Sequence, residues 1–562
     1  QECDVIIVGG GHNGMVSAAY LARAGLDVMV LERRGILGGA AVTEEVVKGF
    51  RFSRASYLAG LLRPSVIQDL SLHKHGLKYL VRDPSSFTPS LVDGPLGGRS
   101  LLLGSDMDAT CASIAQFSEK DSKVYPLYEE FLAECREILR PLLDGPPPDP
   151  FQGRYYERKQ AATTLYSLIK NAARHRGTLG ALYELLTAPA CHVLDKWFES
   201  DMLKATLACD AVIGAMISPR DVGSGYVLLH HVLGEAAGKQ GVWAYVEGGM
   251  GRISDAIASA AKEAGAKLLT NCQVKSIDLD ERAGSATGVT LESGESLTAR
   301  VAVLSNCTAH QTITKLLPEN FLDSFAGGGF RSYVRHIKGF DYSCGSFKIN
   351  CALSKLPDFA CLPNGRSRDG EGSGGANHRG TIHFENTIDE IETAAREASN
   401  RVPATRPVIE MTIPSVLDHT LVDGAGHHVA QLFVQFAPYD IDPTVGNWKD
   451  PAFKQAFVDR VFGVVDEFAP GFSDSIVGID ALSPLDLEEI FGLHRGNIFH
   501  GALGLHQIGW ARPIYRFTTQ SWLSSSLTPI RGLYLCSANM HPGGGVSGAP
   551  GRNCAGIVLS DL

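Results

Sequence analysis

Residues 4–14 read Asp-Val-Ile-Ile-Val-Gly-Gly-Gly-His-Asn-Gly, and this stretch decides the fold. The run Val5-Ile6-Ile7-Val8 has the composition of a parallel strand buried on both faces. Gly9, Gly11 and Gly14 then follow in G-x-G-x-x-G spacing, where a strand should turn into a helix. Residues 15–24 supply that helix and Gly25 stops it. A second apolar run, Val28-Met29-Val30-Leu31, ends in Glu32, 18 residues beyond Gly14. A carboxylate at that distance is the expected partner of a ribose hydroxyl. Each glycine has its own task in such a motif. Gly9 allows the sharp turn, Gly11 lets the backbone approach a pyrophosphate, and Gly14 lets the helix lie close on the sheet. The pyrophosphate then meets free N–H groups at the positive end of the helix.

The motif does not choose between FAD and NAD, because Glu32 suits either ribose. The next segment, Glu32-Arg33-Arg34-Gly35-Ile36-Leu37-Gly38-Gly39-Ala40-Ala41, adds a glycine pair whose N–H groups suit a phosphate. Two further blocks lie downstream. One is Tyr245-Val-Glu-Gly-Gly-Met-Gly-Arg252, followed by a helix, Gly265 and Asn271-Cys-Gln-Val274. The other is Gly532-Leu-Tyr-Leu-Cys-Ser-Ala-Asn-Met-His541-Pro-Gly-Gly-Gly-Val-Ser-Gly548.

With these three blocks in this order, the chain resembles the FAD-dependent oxidoreductases of the phytoene-desaturase and amine-oxidase kind. The opening Gly-Gly-Gly-His-Asn-Gly and the closing His-Pro-Gly-Gly-Gly-Val resemble the carotenoid-desaturase-like branch. The resemblance implies an α/β fold, with a discontinuous Rossmann-like FAD-binding domain and an α+β substrate domain in which helices back a sheet. It implies cofactor contacts from the first turn (Gly9, Gly11, His12, Asn13, Gly14) and from the segment Glu32, Arg33, Arg34, Gly38, Gly39 and Ala40. It implies others from Ser56, from Val274, whose backbone meets the adenine, and from Ser537, Gly545, Val546 and Gly548 at the flavin turn. Tyr57 is expected either to face the ring or to pack in the core. Amine oxidases that tether their flavin use a cysteine near the last motif. Cys536 and Cys554 do not match that position, so the FAD is expected to be non-covalent. Ala40 stands where amine oxidases usually carry Arg, a departure from the amine-oxidase pattern.

The domain limits expected from these blocks are residues 1–62, 244–312 and 516–562 for the FAD-binding domain, and 63–243 and 313–515 for the substrate domain. Helical periodicity marks residues 124–139, 163–173 and 178–186, and residues 409–413 and 429–436 read as strands. Gly145-Pro-Pro-Pro-Asp-Pro150 reads as a stiff connector. Gly370-Glu-Gly372-Ser-Gly-Gly375 repeats the glycine spacing, but it lies in a polar loop with no strand before it. No second nicotinamide unit is therefore read.

The chain has 562 residues, 44% of them apolar and 20% charged, as in an ordinary globular enzyme. Its net charge of -10 argues against a nucleic-acid partner. No apolar run is long enough to span a membrane, which leaves a peripheral membrane contact or a protein partner open. No targeting presequence is read, and a mitochondrial location (matrix or inner face of the inner membrane) is implied by the resemblance alone. Twelve cysteines are scattered with no Cys-x-x-Cys pair, so disulfide exchange chemistry is not expected.

Hydride transfer to a flavin needs no nucleophile and no metal, and no metal set is read from spacing. His541, before the glycine turn, and His500, in Asn497-Ile-Phe-His-Gly501, are the candidate proton-transfer residues. The other role open to His541 is to shape the turn through a backbone hydrogen bond. The expected activity is hydride removal from a C–H bond of a small or lipophilic substrate, with electrons passed to oxygen, a quinone or a protein. A flavin amine oxidase is the alternative, and a stacked aromatic pair near the flavin would favour it. A regulatory flavoprotein with weak turnover is a third reading.

Overall fold

A computed structural model of the chain describes residues 2–148, 155–280, 284–318, 328–363, 374–513 and 528–562. Residues 149–150 of the Pro-rich connector, Gly370 and Gly372 of the polar loop, and 516–527 of the last FAD-domain piece lie outside the described residues.

The opening motif folds as a strand, turn and helix. Strand β1 (Glu2–Val8) leads into helix α1 (His12–Arg23), and β2 (Val28–Leu31) returns beside β1 in parallel. Helix α2 (Gly251–Glu263) precedes β3 (Lys267–Leu269), which pairs with β2. Strands β4 (Val274–Asp280), β5 (Ser285–Leu291) and β6 (Ser296–Ser305) follow as an antiparallel meander. The first half of β6 pairs with β5, and its second half runs parallel to β7 (Leu533–Leu535). The sheet order is β3-β2-β1-β6-β5-β4, with β7 beside β6. The C-terminal helix α3 (Ala549–Ser560) packs on α1. Small residues make that contact close. Ser17 donates from its hydroxyl to the Gly551 carbonyl (2.8 Å), and a Cβ at Gly551 would lie 2.2 Å from the Asn13 carbonyl oxygen.

The second sheet also has seven strands. In order these are Ile476–Leu482, Phe347–Leu353, His428–Gln435, Val408–Thr412, Thr381–His383, Ser86–Pro89 and Ser100–Leu103. Strand periodicity sends alternate residues to opposite faces. One face carries Ile349, Cys351, Ile382, Ile409, Met411, Leu432 and Val434, and it packs on helix Pro451–Phe468 through Phe457, Val461 and Val465. The alternate set includes Lys348, Asn350, His383, Glu410, Thr412 and Gln431, all of them buried. A layer of helices that includes Glu119–Leu139, Asp201–Cys209 and Ser224–Val232 forms a separate apolar cluster.

Two stretches cross the domain limits drawn from sequence. Phe50 and Phe52, assigned to the FAD-binding domain, pack on Ala352, Leu421 and Val429 of the second sheet's neighbourhood. Helix Gly328–Lys338, assigned to the substrate domain, packs through Phe330 and Ile337 on Val303 and Leu533 of the first sheet. Chain continuity placed these residues, whereas packing follows the apolar faces they carry. No helix among the described residues is long and apolar enough to cross a membrane.

Gly551→Ala should force α3 away from α1, because the obstructing atom is backbone. A loss of about 1–3 kcal/mol is expected, read as a lower urea midpoint; an unchanged midpoint would contradict this packing account.

Candidate active site

The opening turn is built by backbone contact. Gly9 has φ +98°, and the Gly38 N–H donates to the Gly10 carbonyl (2.8 Å), bridging the first glycine turn to the glycine pair. A Cβ on Gly11 would lie 2.8 Å from Asn306 Nδ2, and one on Gly14 would lie 2.4 Å from the Gly9 carbonyl oxygen. Helix α1 starts at Gly11 with no side-chain cap and no acid in its first turn. Its N–H groups are therefore available to an anion.

Glu32 is buried and holds this turn together. Its Oε2 accepts from the Gly10 N–H (2.8 Å) and its Oε1 from the Arg34 N–H (2.9 Å). Each carboxylate oxygen keeps a second lone pair for a ribose hydroxyl.

One cavity of about 1320 Å³ runs from this turn to the second sheet. Gly9, Gly11, His12, Asn13, Glu32, Arg33, Arg34, Gly38, Gly39, Ala40, Ser56, Val274, Gly545 and Val546 all line it. Among the buried polar atoms on lining residues that have no hydrogen-bond partner are His12 Nε2, Asn13 Oδ1, Arg34 Nη1 and His500 Nδ1. Buried polar groups are normally satisfied, and an open glycine cradle with orphan donors and acceptors fits a dinucleotide. Arg34 is positioned by Glu44 (2.7 Å) and by the face of Phe491. Arg33 instead donates to the Glu489 and Ile490 carbonyls (2.9 and 2.7 Å), so its guanidinium ties two segments together. The Ser56 hydroxyl donates to the Ala40 carbonyl (3.0 Å).

Three cofactor candidates lie outside the lining. Gly14 serves helix–turn packing. Gly548 (φ +72°) starts α3 against Leu62 and Val66, and Ser537 accepts from the Asn539 N–H (3.2 Å) within its own turn.

The expectation of proton transfer by His541 is corrected. It is not among the lining residues, and its Nε2–H donates to the Leu142 carbonyl (2.9 Å), which is the turn-shaping role. Burial takes it down to about 4, with the Leu142 backbone opposing. His500 does line the cavity, in a positive-φ conformation (57°). Burial, with His12 and Arg512 nearby, takes it down to about 3. Neither imidazole carries a proton to donate as a cation at neutral pH.

Beside Tyr57, the far part of the cavity holds groups that no motif indicated. Tyr57, Arg82, Asp210, His383, Glu410 and Phe433 line the far part of the cavity. The Tyr57 hydroxyl donates to Glu410 Oε2 (2.7 Å), and its ring stacks on Phe433 (centroids 5.6 Å apart, 23° between planes). Lys348 Nζ, buried without a hydrogen-bond partner, sits 4.6 Å from the Tyr57 ring centroid. Burial raises Glu410 to about 8, with Asp210 adding to the shift, and raises Asp210 to about 7. Burial lowers Lys348 to about 7, with Cys351, Asp480 and Glu410 opposing. The signal for Glu410 and Lys348 was present in the sequence: each is the lone charged residue of a mostly apolar strand, Val408–Thr412 and Phe347–Leu353.

The chain matches two family models, an NAD(P)-binding Rossmann-like domain over residues 7–66 and a flavin containing amine oxidoreductase over residues 156–334. It is 46% identical to the pyridine nucleotide-disulfide oxidoreductase domain-containing protein 2 of Rattus norvegicus, covering 100% of this chain and 94% of that protein. It is 26% identical to a limonene dehydrogenase polypeptide of Castellaniella defragrans, covering 100% of this chain and 95% of that one. Among solved structures it is similar to wild-type putrescine oxidase, with a TM-score of 0.55 at 15% identity and coverage of 100% and 99%. That last likeness concerns the fold.

Lys348 sets a pH signature. The unfolded lysine binds its proton up to about pH 10.4, and the folded one releases it at about 7. Lysine's contribution therefore makes stability rise with pH across that window, by up to about 1.4 kcal/mol per pH unit, and level off below it. Replacing Lys348 with Met should remove this slope. Relative to the parent, the variant should be most stabilised at about pH 7 and least at about pH 10 in urea titrations; parallel profiles would show that the lysine is solvated.

Proposed function

The chain belongs to the family of pyridine nucleotide-disulfide oxidoreductase domain-containing protein 2 and is a flavin amine-oxidase-type oxidoreductase, and from that premise we propose that it binds FAD non-covalently and takes hydride from a C–H bond of a small or lipophilic substrate, leaving a double bond. The observation that carries this reading is the single cavity joining the glycine cradle to the second sheet. Its volume of about 1320 Å³ exceeds the roughly 300–1,000 Å³ of a site for one small ligand, as expected where a cofactor and a substrate meet. Although the relatives' name mentions disulfides, no Cys-x-x-Cys pair occurs in this sequence.

In this reading Gly9, Gly11 and the N-terminus of α1 hold the pyrophosphate and Glu32 holds the adenosine ribose. Arg34, Gly38 and Gly39 flank the phosphates, Val274 lies at the adenine, and Gly545 and Val546 lie at the ring. When bound, the flavin supplies a two-electron hydride acceptor. The chain itself orients the substrate against that acceptor and excludes water from the reacting carbon. With Tyr57 and Glu410 it also holds a proton in the cavity wall. Electrons then pass to oxygen, a quinone or a protein acceptor, since no second dinucleotide motif is read. The relative named limonene dehydrogenase supports a lipophilic substrate. The family resemblance supports a mitochondrial location and an acceptor at a protein or peripheral membrane contact.

A second reading, amine oxidation, is favoured by the stacked Tyr57–Phe433 pair beside the carboxyls of Glu410 and Asp210.

The purified protein should be yellow and should lose its colour to the supernatant on acid precipitation. Glu32→Ala should retain at least tenfold less flavin at equal protein; full occupancy in that variant would sink the ribose assignment. Anaerobic addition of terpenoid or other lipophilic hydrogen donors should bleach the flavin. Bleaching by alkyl amines alone would select the second reading. Flavin that no donor reduces would favour a regulatory flavoprotein.

A further inference from the structure

The most distinctive group outside the cofactor cradle sits under the second sheet. Helix Asp201–Cys209 ends on Cys209, and strand Thr381–His383 ends two residues before Glu385. The Cys209 sulfur, a His383 ring nitrogen and a Glu385 carboxylate oxygen all lie within 4.8 Å of one another. All three residues are buried, at 0%, 6% and 4% exposure. We propose that Cys209, His383 and Glu385 form a binding site for a thiophilic divalent cation of the zinc class, with its remaining coordination position open to the substrate cavity.

The geometry is close to what such an ion needs. Ligand bonds of about 2.3 Å to sulfur and about 2.0–2.2 Å to nitrogen or oxygen make the edges of a tetrahedron about 3.5 Å long. The Cys209 Sγ to Glu385 Oε2 distance is already 3.5 Å. The imidazole has only to close up on that edge. His383 Nδ1 is buried without a hydrogen-bond partner and lies 3.7 Å from Glu410 Oε1. Strand register puts Glu410 directly opposite His383. Both residues line the cavity, so the fourth position faces it, and either Glu410 or a water fills that place. Glu385 has an orienting contact of the kind ligating carboxylates keep: its Oε1 accepts from the Ile409 N–H (2.8 Å), leaving Oε2 for the ion.

The donor set decides the class of ion. Thiolate with imidazole selects zinc-like metals over magnesium or calcium, which prefer all-oxygen sites. On binding, the Cys209 thiol gives up its proton to solvent, and the sulfur lone pair forms the new bond. The Cys209 thiol donates to Glu385 Oε2 and Glu385 Oε1 accepts from the Ile409 N–H, so His383 Nδ1 is the buried group without a partner, and a cation satisfies it. Cys209 and Glu385 are 176 residues apart in the chain, which is why no ligand spacing appears in the sequence.

The test uses the full-length, flavin-loaded protein, stripped with a chelator and then incubated with Zn2+ or Co2+ and desalted. About one retained equivalent of either metal is expected, with a higher melting temperature in Zn2+. The Co2+ form should show tetrahedral d–d bands at wavelengths longer than oxidised flavin absorbs. Cys209→Ser and Glu385→Gln should each lose that equivalent and the bands, while Cys351→Ser, another buried thiol, should keep both. Should a variant fail to fold, the Co2+ spectrum of the parent protein decides alone. No retained metal, or undiminished metal in folded Cys209→Ser, would overturn the site; neither outcome touches flavin binding, which the visible spectrum reports separately.

Discussion

The structure turns on a place where two backbones touch. Gly11 and Gly38 form a bridge, and a Cβ on Gly39 would come within 3.2 Å of the Gly11 Cα. No side chain fits between them. That closeness draws Glu32 and Arg34 onto the first turn. It also sets Asn306, at the end of β6, against Gly9, whose carbonyl accepts from Asn306 Nδ2 (3.3 Å). Segments from the first and middle parts of the chain meet at one point, and the C-terminal turn closes over it through Gly545 and Val546. A discontinuous domain is the direct result, because each segment contributes backbone that only the others can satisfy.

This much was legible in the sequence because the rule is short in range. Glycine spacing, the following helix and the acid after β2 all lie within the first 32 residues and follow from local sterics. The domain limits were less legible, since Phe50, Phe52 and Phe330 pack by their apolar faces and not by chain position. Histidine roles were only partly legible: His500 lines the cavity as expected, and of the two roles open to His541 the backbone hydrogen bond is the one formed. Nearness to the flavin turn did not say that His541 would point at Leu142. Its partner is a carbonyl 399 residues away, which no local pattern reveals.

The cavity wall shows why the chemistry-bearing residues escaped a sequence reading. Parallel and central strands read as apolar runs, and a single polar residue in such a run carries little weight. In the second sheet the polar residues of neighbouring strands fall on one face, so that Glu410 stands opposite His383 across the ladder. The site is a property of strand register, which no single segment reveals. Period two then does the sorting. One face buries Ile409 and Met411 against a helix, while the residue between them, Glu410, goes to the cavity.

The burial that makes this wall expensive also makes it useful. Glu410 and Asp210 in this wall, and Lys348 behind it against the Tyr57 ring, are each drawn toward neutrality by desolvation, to about 8, 7 and 7. Groups with ordinary values would be fully ionised, and three unsolvated charges would be harder to hold than three groups near their titration points. A wall so tuned gains or loses a proton with little free-energy change at neutral pH, which suits the dehydrogenation proposed above. Tyr57 couples this wall to the cofactor side. It follows Ser56, which is fixed to the loop after the glycine pair, and its hydroxyl donates to Glu410. Rigid placement of that kind is what a reaction with no protein nucleophile demands from its scaffold.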